Sequence, residues 1–167
     1  TFRAQHPLMN LIKPARSTRF VNSMLNHYKQ SVHKALPVWS HMGNENWCMI
    51  GYHSVSVVSD AIAKGLDIDN ELALEACVNS SNVDYFDGTG DYKKYGYVPL
   101  ERSSSAASIT LEYSYDDWTI HELANRLNKS EISQEYARRA LNYRNIFDPS
   151  LHFARPKLKD GTFKEDF

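Results

Sequence analysis

The chain has 167 residues with 42% hydrophobic content, enough for one domain with its own core and too apolar for disorder. A formal net charge of -1, with no run of Lys or Arg, gives a nucleic-acid or membrane-surface partner no electrostatic footprint. No apolar run reaches spanning length, so no membrane insertion is expected, and the two cysteines show no zinc spacing.

Thr1 is not an initiator Met, and the chain reads as a piece of something longer. Pro7 and Pro14 punctuate residues 1–16. Pro14 suits the first turn of a helix over about Ala15 to Ser31, with Phe20, Met24, Leu25 and Tyr28 on its apolar face. Leu36-Pro37 ends that tendency. A second helix is expected from about Trp47 to Lys64, closed by Gly65. It puts Ile50, Ser54, Val57 and Ala61 in line, with His53 and Asp60 on one flank. A third runs from about Asp69 to Asn79 and forms an antiparallel pair with the second. Cys48 and Cys77 both fall in these apolar helical patterns and are expected to be buried.

Residues 80–102 are one long connection, broken by Gly88, Gly90, Gly96 and Pro99. Asp84, Asp87 and Asp91 within it lack the EF-hand spacing and its bidentate Glu. The fourth helix, about Ser104 to Asn128, carries Ile109, Tyr113, Asp116, Ile120, Leu123 and Leu127 on one face. Asp116 therefore lies inside an apolar stripe. It must be bonded to a neighbouring element or face a polar cavity. A fifth helix runs from about Glu131 to Ile146, with Ser130 as N-cap and Glu135–Arg139 as a surface pair. Asp148-Pro149 stops it, and the tail is extended. No fixed period repeats along the chain. Periodicity alone gives an all-α domain.

The richest stretch is Leu36 to Ala61, which sets Trp39, Glu45, Trp47, His53 and Asp60 around a polar turn and a buried helix. Flat rings suit a pyranose face and carboxylates suit its hydroxyls, so this passage reads as one wall of a sugar pocket. His53 reads equally as a satisfied core histidine.

Six stretches carry a resemblance: HPLMNLI (6–12), LPVWS (36–40), GNENWCMIGYHSVSVVSDA (43–61), GYVPLE (96–101), TLEYSYDDW (110–118) and FARPKLKDGTF (153–163). With them the chain resembles an internal segment of glycoside hydrolase family 92, the calcium-dependent α-mannosidases common in gut Bacteroidetes. The resemblance implies helical hairpins forming part of an (α/α)6 barrel, with the family's β-sandwich and the C-terminal part of the barrel absent. It implies exo-acting, inverting hydrolysis of α-mannosides, of the α-1,2 type, by a periplasmic, secreted or cell-surface protein. Inversion needs an acid and a base whose carboxyls stand roughly 6.5–9.5 Å apart. The family's acid lies C-terminal to the Lys-Asp-Gly turn and its base and calcium ligands further on. The resemblance therefore implies that these residues hold no catalytic group and no metal ligand, and that calcium belongs to the full-length protein.

What the segment is expected to hold is sugar-binding wall: Arg3, His6, Trp39, Glu45, His53, Asp116, Asp117 and Arg155, with Asp116 and Asp117 orienting neighbours. Mannose-containing glycans are the expected partners. Uncovered apolar helix faces are expected to drive self-association. The competing readings are a non-catalytic helical module that binds carbohydrate or protein, and a different (α/α)-barrel sugar enzyme.

Overall fold

Pro7 sits in the first turn of a helix, α1 (Gln5–Ile12), where its missing N–H is not needed. The prolines alone assign no element to that stretch before Pro14. The computed structural model describes residues 1–165. One residue, Lys13, separates α1 from α2 (Pro14–Gln30), which begins on Pro14 as expected. The face that α2 buries is Ser17, Val21, Leu25 and Tyr28. Phe20, placed inward by the sequence pattern, is exposed.

A short hairpin follows, β1 (Ser40–His41) on β2 (Asn44–Glu45). Its Met42-Gly43 turn has both φ angles positive, 51° and 82°, as a type I′ turn requires. The next helix, α3 (Ser54–Ala63), starts seven residues later than its apolar run suggests. Trp47 and Gly51 both take positive φ, so residues 47–53 form a loop and Cys48 is exposed. α4 (Asn70–Ser80) is capped by Asp69, whose carboxylate accepts the Leu72 N–H at 3.1 Å. The long connection contains α5 (Thr89–Tyr95), bracketed by Gly88 and Gly96. It is tied by a Lys93–Asp84 ion pair and an Arg102–Asp91 bond of 2.7 Å.

The longest helix, α6 (Ala106–Arg126), packs most extensively on α7 (Ser130–Ala140) and next on α3. Its buried stripe includes Ile109, Tyr113, Asp116, Ile120 and Leu123, as the spacing predicts. A 3-10 turn (Leu141–Ile146) replaces the last third of the expected fifth helix. β3 (Phe147–Asp148) then pairs with β4 (Phe153–Ala154). Among the described residues, sheet is confined to these two ladders and one isolated bridge, so the chain is a helical assembly.

The core of α3, α4 and α6 closes around one polar cluster. Asp117 is fully buried. Its Oδ1 accepts the Tyr52 hydroxyl at 2.7 Å, and its Oδ2 accepts the Tyr92 hydroxyl at 2.9 Å and Arg139 Nε at 3.0 Å. Arg139 also donates to the Ser81 carbonyl at 3.3 Å and lies 4.6 Å from the Tyr136 ring centroid. This corrects the reading of Arg139 as a surface partner of Glu135. Arg139 is 8% exposed, and Glu135 stands 3.9 Å from its guanidinium. Burial pushes the Asp117 carboxyl up to about 6, against the pull of Arg139 and the tyrosine hydroxyls.

Two apolar faces are left uncovered. Leu8, Leu11 and Ile12 on α1 are exposed with Phe20 on α2. On the other side a groove of about 500 Å³ between α6 and α7 is lined by Leu111, Tyr115, Trp118, Leu141 and Tyr143.

Removing one partner of a buried ion pair leaves the other charge unpaired. Asp117→Asn is therefore expected to lose about 3–5 kcal/mol in guanidinium unfolding of the chain. The double change Asp117→Leu with Arg139→Met is expected to recover part of that loss.

Candidate functional site

Gly51, at φ +81°, lets the chain turn under the His53 ring; a Cβ there would lie 2.5 Å from the imidazole. The Tyr52 N–H then reaches Asp116 Oδ2 at 2.8 Å, and His53 Nδ1 lies 2.9 Å from Asp116 Oδ1. An ionised carboxylate only accepts, so His53 donates from Nδ1 and turns Nε2 outward. Nε2 faces Glu112 Oε2 at 3.5 Å. Burial raises the Asp116 carboxyl above its ordinary range, and His53 draws it back. Of the two readings of Asp116, the bond to a neighbouring element is the one the structure has.

The outer side of this cluster carries the N-terminal turn. Phe2 stacks on His53 at 4.0 Å and 15°. Arg3 Nη2 donates to both Glu112 oxygens at 2.8 and 3.0 Å, with its guanidinium 4.3 Å from the Phe2 ring centroid. Beside them lies a polar cavity of about 250 Å³, lined by Phe2, Arg3, Pro7, Ser56, Asp60 and Tyr115. His6 is half-buried, meets Phe20 edge-on at 6.2 Å, and is pushed below the usual imidazole range by burial.

The other predicted residues lie elsewhere. Glu45 ends β2, and its carboxylate accepts the backbone N–H groups of Val38, Trp39, Asn46 and Trp47. Trp39 is 57% exposed. Arg155 donates to Asp148 Oδ2 at 2.8 Å and so pins the tail. Among the described residues, no hydrogen bond or ring contact joins the Trp39–Glu45 hairpin or Arg155 to the Arg3–Glu112–His53 cluster. Sequence reasoning missed Arg139, Tyr52, Tyr92 and the Arg3–Glu112 clasp. A signal for Arg139 existed, because it follows Ile132 and Tyr136 at helical spacing on the inward face of α7.

The glycosyl hydrolase family 92 catalytic domain model matches residues 1–167. The chain belongs to that family. It is 40% identical to the family 92 α-mannosidase BT3965 of Bacteroides thetaiotaomicron, in a structure with mannoimidazole bound. The match has a TM-score of 0.93 and covers 97% of this chain and 21% of that one. A second structure, the family 92 inverting mannosidase BT2199 of the same species, is 38% identical at a TM-score of 0.92. That match covers all of this chain and 23% of that one. An uncharacterized secreted glycosidase of Arthroderma benhamiae is 30% identical over 142 residues, 68% of this chain and 18% of its own length. The chain thus spans about a fifth of the length of these relatives. Its helical hairpins are part of the (α/α)6 barrel of the family's catalytic domain.

Calcium, which the resemblance implies, does not fit the described residues. Among them no group of three or more His, Cys, Asp or Glu side chains converges. Asp116 and Asp117 already have both oxygens bonded within the protein. No described helix is long and apolar enough to cross a membrane.

Hydrogen bonds from Ser150 and Arg155 hold the Asp148 carboxyl down to about 2, below its ordinary 3.8. A depressed folded value stabilises the fold above the unfolded value and loses that contribution as acid protonates it. The tail is therefore expected to loosen as pH falls from about 4 towards 2. Amide exchange of residues 147–155 across that range checks this, and Asp148→Asn is expected to remove the acid dependence.

Proposed function

We propose that this chain supplies inner and outer helices to the catalytic barrel of an exported, calcium-dependent, exo-acting α-mannosidase that works with inversion. One observation carries the reading: 97% of the chain follows the backbone of an α-mannosidase that binds mannoimidazole, at 40% identity. The secreted description of the Arthroderma relative supports export.

In this reading the chain's own residues bind and orient, and the acid and base come from polypeptide outside it. The burial of Asp116 and Asp117 supports that division, because a carboxyl sealed from solvent reaches neither a glycosidic oxygen nor a water. Arg3 and Trp39 present free donor and ring surface and are our first choice for contact with mannose. His53, Glu45, Asp116 and Asp117 act behind them, and His6 and Arg155 stand at the margins. Calcium is held by residues outside this chain, beside the family's β-sandwich and the rest of the barrel. The uncovered faces of α1–α2 and α6–α7 are where the remaining helices pack, and the isolated segment self-associates through them.

The full-length protein is expected to hydrolyse an aryl α-mannoside, to lose that activity to a chelator and to regain it with calcium. The first-formed product, read by NMR, is expected to be the β-anomer. The 167-residue chain alone is expected to show no turnover above the uncatalysed background. Turnover by the chain alone would overturn the assignment of acid and base to outside residues. A full-length protein that binds mannose without hydrolysing it would favour the non-catalytic module.

A further inference from the structure

We propose that Glu45 is a positioning residue, whose carboxylate clamps the two arms of the β1–β2 hairpin so that Trp39 presents its ring to a sugar. The inference rests on the function proposed above for the ligand, and on the hairpin's own geometry for the clamp. Glu45 Oε1 accepts the N–H groups of Asn46 at 3.0 Å and Trp47 at 2.9 Å. Oε2 accepts those of Val38 at 2.5 Å and Trp39 at 2.9 Å, and Trp39 N–H also reaches Oε1 at 3.3 Å. A carboxylate has about four acceptor sites, and four backbone donors fill them. At 8% exposure, nothing on Glu45 is left for a sugar hydroxyl.

The two arms differ in what holds them. Downstream, Trp47 sits at φ +59°, an unfavourable setting for a bulky side chain. Its ring is wedged edge-on to His33 at 5.0 Å and tilted against Phe86 at 5.1 Å. Upstream, Trp39 is exposed, and its indole makes no hydrogen bond among the described residues. Glu45 therefore connects an anchored ring to a free one. A platform already ordered before binding spares the ligand the entropy of ordering it.

Glutamine cannot take this role. Its amide nitrogen is a donor, so one arm's N–H groups would face another donor. Releasing the Trp39 arm weakens binding and leaves the chemical step alone, which appears as a rise in KM.

The test uses the full-length protein and an aryl α-mannoside, with E45Q, W39A, W39F and E45Q/W39A. E45Q is expected to raise KM about tenfold, with kcat within about threefold of wild type. W39A is expected to match it, the double variant to be no worse than W39A, and W39F, which keeps a smaller ring, to raise KM less than W39A. Amide exchange at Val38, Trp39 and Trp47 is expected to quicken in E45Q while α6 is unchanged. An E45Q enzyme with wild-type KM, or KM effects that multiply in the double variant, would overturn the proposal. If the wild type hydrolyses no mannoside, the proposed function fails, and the exchange data still decide the clamp: unchanged exchange at those amides in E45Q refutes it.

Discussion

A carboxylate with no access to water must be given a full set of partners by the protein, and Asp117 is where this chain meets that demand. Its partners come from the loop before α3, from α5 and from α7, and Arg139 carries the bonding on to the end of α4. Together, the Asp117 and Arg139 side chains join α4, α5, α6, α7 and the loop before α3. Apolar packing tolerates small slides, because one methyl replaces another at little cost, but a charged fork with three donors tolerates none. The cluster thus sets which arrangement of hairpins the apolar core fills.

The outer cluster depends on the inner one through Tyr52. Its hydroxyl is bonded to Asp117 and its N–H to Asp116, so one residue serves both carboxylates. That double attachment fixes the loop at Gly51 and sets the His53 ring against Asp116. From there the path continues outward through Glu112 to Arg3, by contacts of 3.5 and 2.8 Å. Each step outward is more exposed than the one before, as the chain of contacts passes from the core to the protein surface.

Much of this was legible in the residues. The step of four and three along α6 identified its buried stripe and singled out Asp116, because a carboxylate in an apolar row needs an explanation. Asp69 announced the start of α4 by its capping chemistry. Other features were hidden for definite reasons. Pro7 looked like a breaker, yet the first turn of a helix has free N–H groups and accepts it. Gly88 and Gly96 read as loop residues, although they bracket a helix. The run Cys48-Met49-Ile50 looked helical from composition, and only backbone conformation, which composition does not encode, makes it a loop. Arg139 was mistaken for a surface charge because an i,i+4 partner was available in the sequence. Its true partner, on another helix, could not be read without the tertiary arrangement. The sequence names candidate site residues as types and not as a group, since local spacing says nothing about which loops meet.

Asp116 and Asp117 are consecutive on α6, so their side chains leave the axis in directions about 100° apart. One is tethered to the loop before α3 and the other chiefly to α5 and α7. A rod held by two such struts cannot spin about its own axis. The azimuth of every other side chain on α6 is then settled, including that of Tyr115 and Trp118 on its far side. Two adjacent acids thereby act as a key and keyway for the longest rod in the chain.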